Sequence, residues 1–185
     1  MQIPAKDFLR LVERAGTLAF VDIEATGLRG DYNSVLVVSI KMFGRKPTSF
    51  CITIPGDDKQ VVSETKNALE AADLWVGYFS KGFDLPMLNT RLLNHGIPPI
   101  EKRPHLDLYW MLKSNILTAR RSQGHLLSWL NLPESKMTVS ADVWARIVGD
   151  PKKWMPTMVK RCESDVNGLA SLYAKTKHLV GDITR

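Results

Sequence analysis

Cysteine is scarce in this chain: Cys51 and Cys162 stand far apart, with no Cys-x-x-Cys spacing. That argues against a cysteine zinc site and gives no reason to infer a disulfide, leaving both thiols as expected small buried apolar side chains. Long apolar runs are lacking too. No segment approaches the roughly 20 apolar residues of a membrane span, and Met1 to Arg10 holds no apolar core of signal-peptide length. The expectation is a soluble, cytoplasmic protein with no membrane partner. Repeats, low-complexity tracts and linkers are also missing, so residues 1–185 read as one domain, and 44% hydrophobic content is enough for a full core without staples. Acids are in deficit: 19 Asp and Glu against 25 Lys and Arg, a net charge of +6 and a pI near 9.4. Such a balance favours a polyanionic partner. The bases gather at Lys41, Arg45 and Lys46, at Lys113, Arg120 and Arg121, and at Lys152, Lys153, Lys160 and Arg161. Each cluster is either part of a phosphate track or an ordinary solvated face.

What the chain does have is an acidic pair at the end of an apolar strand, in Phe20-Val21-Asp22-Ile23-Glu24-Ala25-Thr26-Gly27-Leu28. Asp22 and Glu24 are one pleat repeat apart, so both carboxylates point to one face. Like charges side by side repel unless a cation lies between them, and a divalent metal is the common answer. The competing reading is a solvated strand end, and Asp-x-Glu alone does not decide.

Ala5 to Gly16 has the spacing of a short amphipathic helix ended by Gly16. Ser34 to Phe43 and Ser49 to Ile54 read as second and third strands, which with the acidic strand make an antiparallel three-strand meander. The period then changes. A helix follows the capping stretch Ser63-Glu64-Thr65-Lys66, Leu74 to Phe79 is a fourth strand, Asp84 to His95 a helix, and His105 to Tyr109 a short fifth strand. From there the texture is helical, ending in a long helix from about Trp154 to His178. The fold class is therefore α/β, a mixed five-stranded sheet of meander plus parallel strands, flanked by helices.

The order of acids in this layout carries a resemblance. Asp-Ile-Glu-Ala-Thr-Gly at residues 22–27, Gly-Phe-Asp-Leu-Pro at 82–86 and Ser164-Asp165-Val166 resemble the three motifs of the DEDD (DnaQ-like) 3′→5′ exonuclease superfamily. That superfamily has the ribonuclease H-like fold. Within it the chain is most similar to stand-alone relatives of family B DNA polymerase proofreading domains, a similarity to which His105-Leu106-Asp107-Leu108 and the stretch from Gly124 to Arg146 contribute. The resemblance implies a metal-dependent 3′→5′ exonuclease on single-stranded DNA or RNA ends, DNA in preference to RNA, working by a two-metal mechanism. It implies that Asp22, Glu24, Asp84 and Asp165 hold two Mg²⁺ or Mn²⁺ ions about 4 Å apart, as hard oxygen donors suit. Thr26, Gly27, Leu28, Phe79 and Lys81 would meet the substrate. A polymerase or another replication or repair protein would act in trans.

Two departures from the family pattern matter. Where relatives carry a Tyr four residues before the last acid, or a His five before it, this chain has Arg161 and Lys160. Arg161 is accordingly a candidate catalytic residue that positions the scissile phosphate. Where relatives carry an Asn before the second-motif acid, this chain offers Phe79 or Ser80; Phe79 is either core or a base-stacking residue. Asp107 reads as a helix cap or a support for the site, Tyr173 as packing, and the five tryptophans as core by default. A catalytically impaired nucleic-acid-binding or protein-interaction module on the same scaffold is the alternative, and a junction- or flap-selective nuclease a third reading.

Overall fold

The structure is a computed structural model that describes residues 4–135 and 137–181. Helix α1 (Ala5–Ala15) ends at Gly16, whose φ of 69° makes the left-handed turn into β1. Strand β1 (Leu18–Ala25) pairs antiparallel with β2 (Val35–Met42), which pairs antiparallel with β3 (Thr48–Cys51). Helix α2 (Lys59–Glu70) crosses over to β4 (Leu74–Gly77), parallel to β1. Helix α3 (Asp84–Asn94) then leads to β5 (His105–Asp107), parallel to β4. The sheet order is β3-β2-β1-β4-β5, the mixed sheet expected from the sequence. Helices α4 (Leu108–Asn115), α5 (Gln123–Trp129), α6 (Ala141–Ile147) and α7 (Pro151–Thr176) complete the chain, with a short 3₁₀ turn at Lys177–Leu179.

Alternation along β1 divides the core. Ala19, Val21 and Ile23 join the cluster built with α2 and α3. Leu18 and Phe20 join the other, with α1, α4 and α5. Asp22 and Glu24 have the parity of Leu18 and Phe20, so they continue that second face beyond its apolar part. Helix α7 belongs to both clusters: Met155, Met158 and Cys162 pack in the first, and Val166, Leu169 and Leu172 in the second. Its acid, Asp165, sits between the two sets.

Several boundaries differ from the pattern expected of the sequence, each for a local reason. Helix α2 begins at Lys59, ahead of the capping stretch at Ser63, because Val61 and Val62 are drawn into the core. Strand β4 stops at Gly77 because Asp107 captures the backbone N–H groups of Phe79 and Lys81. Strand β5 stops at Asp107 because the same carboxylate accepts from the Tyr109 N–H and caps α4. The long helix starts at Pro151, with Pro in its first turn and Asp150 as its cap. Cys162 is buried as expected, whereas Cys51 is only half-buried. Trp110 and Trp129 are 43% and 52% exposed and are not core.

Candidate active site

Strand β1 delivers Asp22 and Glu24, and α7 crosses their face of the sheet with Asp165. One carboxylate oxygen from each of the three lies within 4.8 Å of the others. Glu24 and Asp165 are buried, and Asp22 is half-buried. Convergence from residues so distant in sequence depends on the approach of α7, and two details of the packing fix it. A Cβ at Gly168 would stand 2.8 Å from Leu127 Cδ1, so the glycine lets α5 close on α7 one turn beyond Asp165. Gln123 on α5 donates its side-chain N–H to the Asp165 carbonyl at 2.8 Å. Beneath Asp22, the Cys162 thiol lies 3.2 Å from the Asp22 carbonyl and 3.6 Å from its Oδ2. Burial, with the Asp22 and Glu24 charges added, pushes that thiol well up, so it is held protonated.

Asp84 opens α3 and is not one of the three converging acids among the described residues. It lies next to them: burial, with the charges of Asp107 and Glu24 in the same direction, raises its carboxyl to about 7, opposed by hydrogen bonds from its own and the Ile23 backbone N–H. A buried acid that resists ionisation beside other carboxylates marks a place with negative charge in excess. Three oxygen donors this close, plus a fourth acid within electrostatic reach and a neutral thiol, fit a hard divalent cation better than zinc.

Arg161 is the cation the structure itself supplies. Its Nε pairs with Glu24 Oε1, its Nη1 donates to the Met137 carbonyl at 3.1 Å, and its guanidinium carbon stands 5.8 Å from the centre of the Trp144 ring. Burial disfavours its charge, but the hydrogen bond to Glu24 and the carboxylates of Glu24, Asp165 and Asp22 outweigh burial and raise its pKa. The guanidinium thus bridges the acids to the 137–144 segment. Position alone marked Arg161 in the sequence; nothing there marked Met137 or Trp144 as its partners.

The substrate candidates are distributed around this centre. Thr26 and Gly27 form the turn after β1, where the Ser34 N–H donates to Thr26 Oγ1 at 3.0 Å and the Asn33 side chain fills the space a Cβ on Gly27 would need. Leu28 is 81% exposed beyond that turn, and Lys81 is exposed. Phe79 is exposed rather than core, with a φ of 59°. Ser80 is fully buried and hydrogen-bonded to His105 at 2.9 Å, so it is Phe79 that faces outward. Burial, aided by the Lys81 charge, holds His105 down to about 3, so it is neutral.

A second polar centre had no signal beyond a turn-like Pro-Gly-Asp-Asp. Asp58 is fully buried and accepts from Arg91 Nε at 2.8 Å and Nη2 at 2.9 Å, and from the Val35 N–H at 2.8 Å. His95 Nε2 lies 2.6 Å from its Oδ1, and Arg91 Nη1 donates to the Gly30 carbonyl at 3.1 Å. The arrangement ties the loop after Asp22 and Glu24 to α3, the helix that Asp84 opens.

The sheet order, the acidic strand at its centre and the last acid on a crossing helix define a nuclease-type α/β scaffold. The chain belongs to the RNase_H superfamily, whose RNase_H_2 model matches residues 19–176. Among solved structures it is similar to the family B DNA polymerase from the hyperthermophilic archaeon Pyrobaculum calidifontis, at 18% identity with a TM-score of 0.68 over 86% of this chain. It spans about a quarter of that polymerase, 24% of its length, and the likeness at this identity concerns the fold. A comparison with curated proteins finds no match.

Proposed function

We propose that the domain is a metal-dependent 3′→5′ exonuclease that hydrolyses phosphodiester bonds at the ends of single-stranded DNA or RNA, with DNA preferred. The observation that carries this reading is the meeting of Asp22, Glu24 and Asp165 oxygens within 4.8 Å. Asp22, Glu24 and Asp165 would hold one divalent ion, Mg²⁺ or Mn²⁺, and Asp84, with Asp22, a second. Ions held there supply Lewis-acid polarisation of the phosphate and a more acidic attacking water. The chain's own part is placement. Gln123 and Gly168 fix the turn that carries Asp165, and Arg161 holds the Glu24 carboxylate while offering donors to a phosphate oxygen. Thr26, Gly27 and Leu28 form the rim on one side, and Phe79 and Lys81 that on the other. A polymerase or repair protein in trans would supply the context in which such ends arise.

One observation favours a second reading. Arg161 already neutralises Glu24, which suits a module that keeps the scaffold and binds nucleic acid without cutting it. A labelled single-stranded oligonucleotide incubated with Mg²⁺, Mn²⁺ or EDTA separates the two. Metal-dependent laddering from the 3′ end supports the exonuclease, binding without cleavage supports the second reading, and internal cuts refute both. Arg161→Tyr in the same assay tests the adapted role: a loss of rate is expected, and a gain would show that Arg161 obstructs the site.

A further inference from the structure

Beside the acids, the loop that ends β4 holds an aromatic group that no core requires. Phe79 is 41% exposed and Trp110 43%. Their ring centroids are 6.0 Å apart and their planes only 38° from parallel. Tyr109 stands edge-on to both, at 5.1 Å from each and at 77° and 87°. It buttresses the pair from the side.

The backbone is bent to make this arrangement. A φ of 59° at a phenylalanine is an outlier for a bulky residue, a strained conformation that the surroundings must hold in place. Asp107, almost fully buried, maintains it by accepting the Phe79 N–H at 2.9 Å on Oδ1 and the Lys81 N–H at 2.9 Å on Oδ2. The same Oδ1 accepts the Tyr109 N–H at 3.0 Å, so one carboxylate sets Phe79 and the start of the helix carrying Tyr109 and Trp110. Gly82 completes the cradle: a Cβ there would meet the Phe79 ring at 2.6 Å. Charge at the rim is positive. Lys113 Nζ lies 4.6 Å from the Trp110 ring centre, and Lys81, Arg120 and Arg121 are exposed nearby in the chain. Asp107 is close enough to Asp84 for its charge to be felt there, which puts the aromatic pair at the margin of the acidic centre.

We propose that Phe79 and Trp110 form a stacking platform for a base of single-stranded nucleic acid, with Lys81 and Lys113 meeting the flanking phosphates. A tilted pair of exposed rings, with a lysine over the Trp110 ring, matches the alternation of flat bases and anionic linkages, and every base has a face to stack, so the platform reads no sequence. The proposal rests on the nuclease reading of the acids.

The test measures binding rather than cleavage. Fluorescence anisotropy of a labelled dT oligonucleotide is followed in EDTA with the full chain, its Phe79→Ala, Trp110→Ala and Phe79→Leu variants, and Trp129→Ala as a control at another exposed tryptophan. Stacking is worth about 1–3 kcal/mol per base, so Phe79→Ala and Trp110→Ala should each weaken binding by roughly 5- to 150-fold. Phe79→Leu, which keeps an apolar side chain but no ring face, should weaken it comparably, and Trp129→Ala should not. Oligonucleotides with one abasic position, moved stepwise from the 3′ end, should show one position where the wild type loses affinity and the two alanine variants do not. Wild-type binding that the variants retain in full would overturn the platform, leave the exonuclease reading standing, and give the patch to an apolar protein segment. A wild type that neither binds nor cuts single strands would overturn both.

Discussion

Removing Asp58 tests whether the ion-paired centre behind the acidic strand governs the stability of the fold. The carboxylate is fully buried and holds Arg91 through two nitrogens, with the Val35 N–H and His95 as further donors. Asp58→Ala leaves a guanidinium that is itself 7% exposed without its counter-charge, a change that costs about 3–5 kcal/mol. For a chain of 185 residues each kcal/mol moves the melting point by about 2–4 °C, so a fall of roughly 6–20 °C is expected. Arg91→Leu should cost less, because Asp58 keeps the Val35 and His95 donors. The double variant should cost at least about 1 kcal/mol less than the sum of the singles. Urea titrations of all four proteins, followed by circular dichroism, supply the cycle. The pH dependence follows from the donors, which outweigh burial and hold Asp58 below the usual carboxylate range. A group depressed in the folded state stabilises above its unfolded pKa, near 3.9. The gap between wild type and Asp58→Ala should therefore be constant at neutral pH and close only as pH falls below about 4. Additive single variants, or a cost for Asp58→Ala under about 1 kcal/mol, would refute the reasoning.

Other outcomes follow from the site and the core. Asp22→Asn and Asp165→Asn should each lower Mg²⁺-dependent cleavage by more than the roughly 10- to 100-fold typical of losing a partner one shell out from a metal, while anisotropy shows the oligonucleotide still bound. Asp84→Asn should stabilise the protein in EDTA at pH 8. A carboxyl raised to about 7 when folded loses its proton near 3.9 when unfolded, so wild-type stability falls as pH rises between those values, by on the order of 2–4 kcal/mol. Below pH 4 the two melting curves should coincide. Tyr173→Phe, which removes only the 2.8 Å hydrogen bond to Glu13, should cost about 1 kcal/mol in urea titration. Tyr173→Ala, which also strips the ring from its edge-on contact with Phe20 at 5.5 Å, should cost about 3–5.

The sheet was legible because its signals are local: alternation in β1, turn residues between the meander strands, and helical period after Ser63. Asp22 and Glu24 were legible for a different reason, since like charges one pleat repeat apart on an apolar strand are costly unless a cation lies between them, and Asp165 was legible through its resemblance to the superfamily's third motif. What the chain pattern could not disclose depends on side chains meeting across long separations. Asp58 reads as a turn residue until Arg91, on a helix two elements later, is placed against it. Phe79 ends an expected apolar strand and reads as either core or a base-stacking residue. Asp107 decides this by taking the Phe79 N–H from the next strand over, and no spacing rule encodes a backbone captured by a distant carboxylate. Arg161 was found only as a departure from a family pattern; its hold on Glu24 and Met137 needs the fold.

Helix α7 has one further consequence. Because its first half is packed in one hydrophobic cluster and its second half in the other, neither cluster can loosen without the helix losing half its anchorage. Amide hydrogens around Asp165 should accordingly exchange with solvent only when the whole molecule opens, as slowly as those of β1. A carboxylate mounted in this way keeps its place as long as the protein stays folded, while the exposed rim at Leu28 and Phe79 is left to adjust to whatever strand arrives.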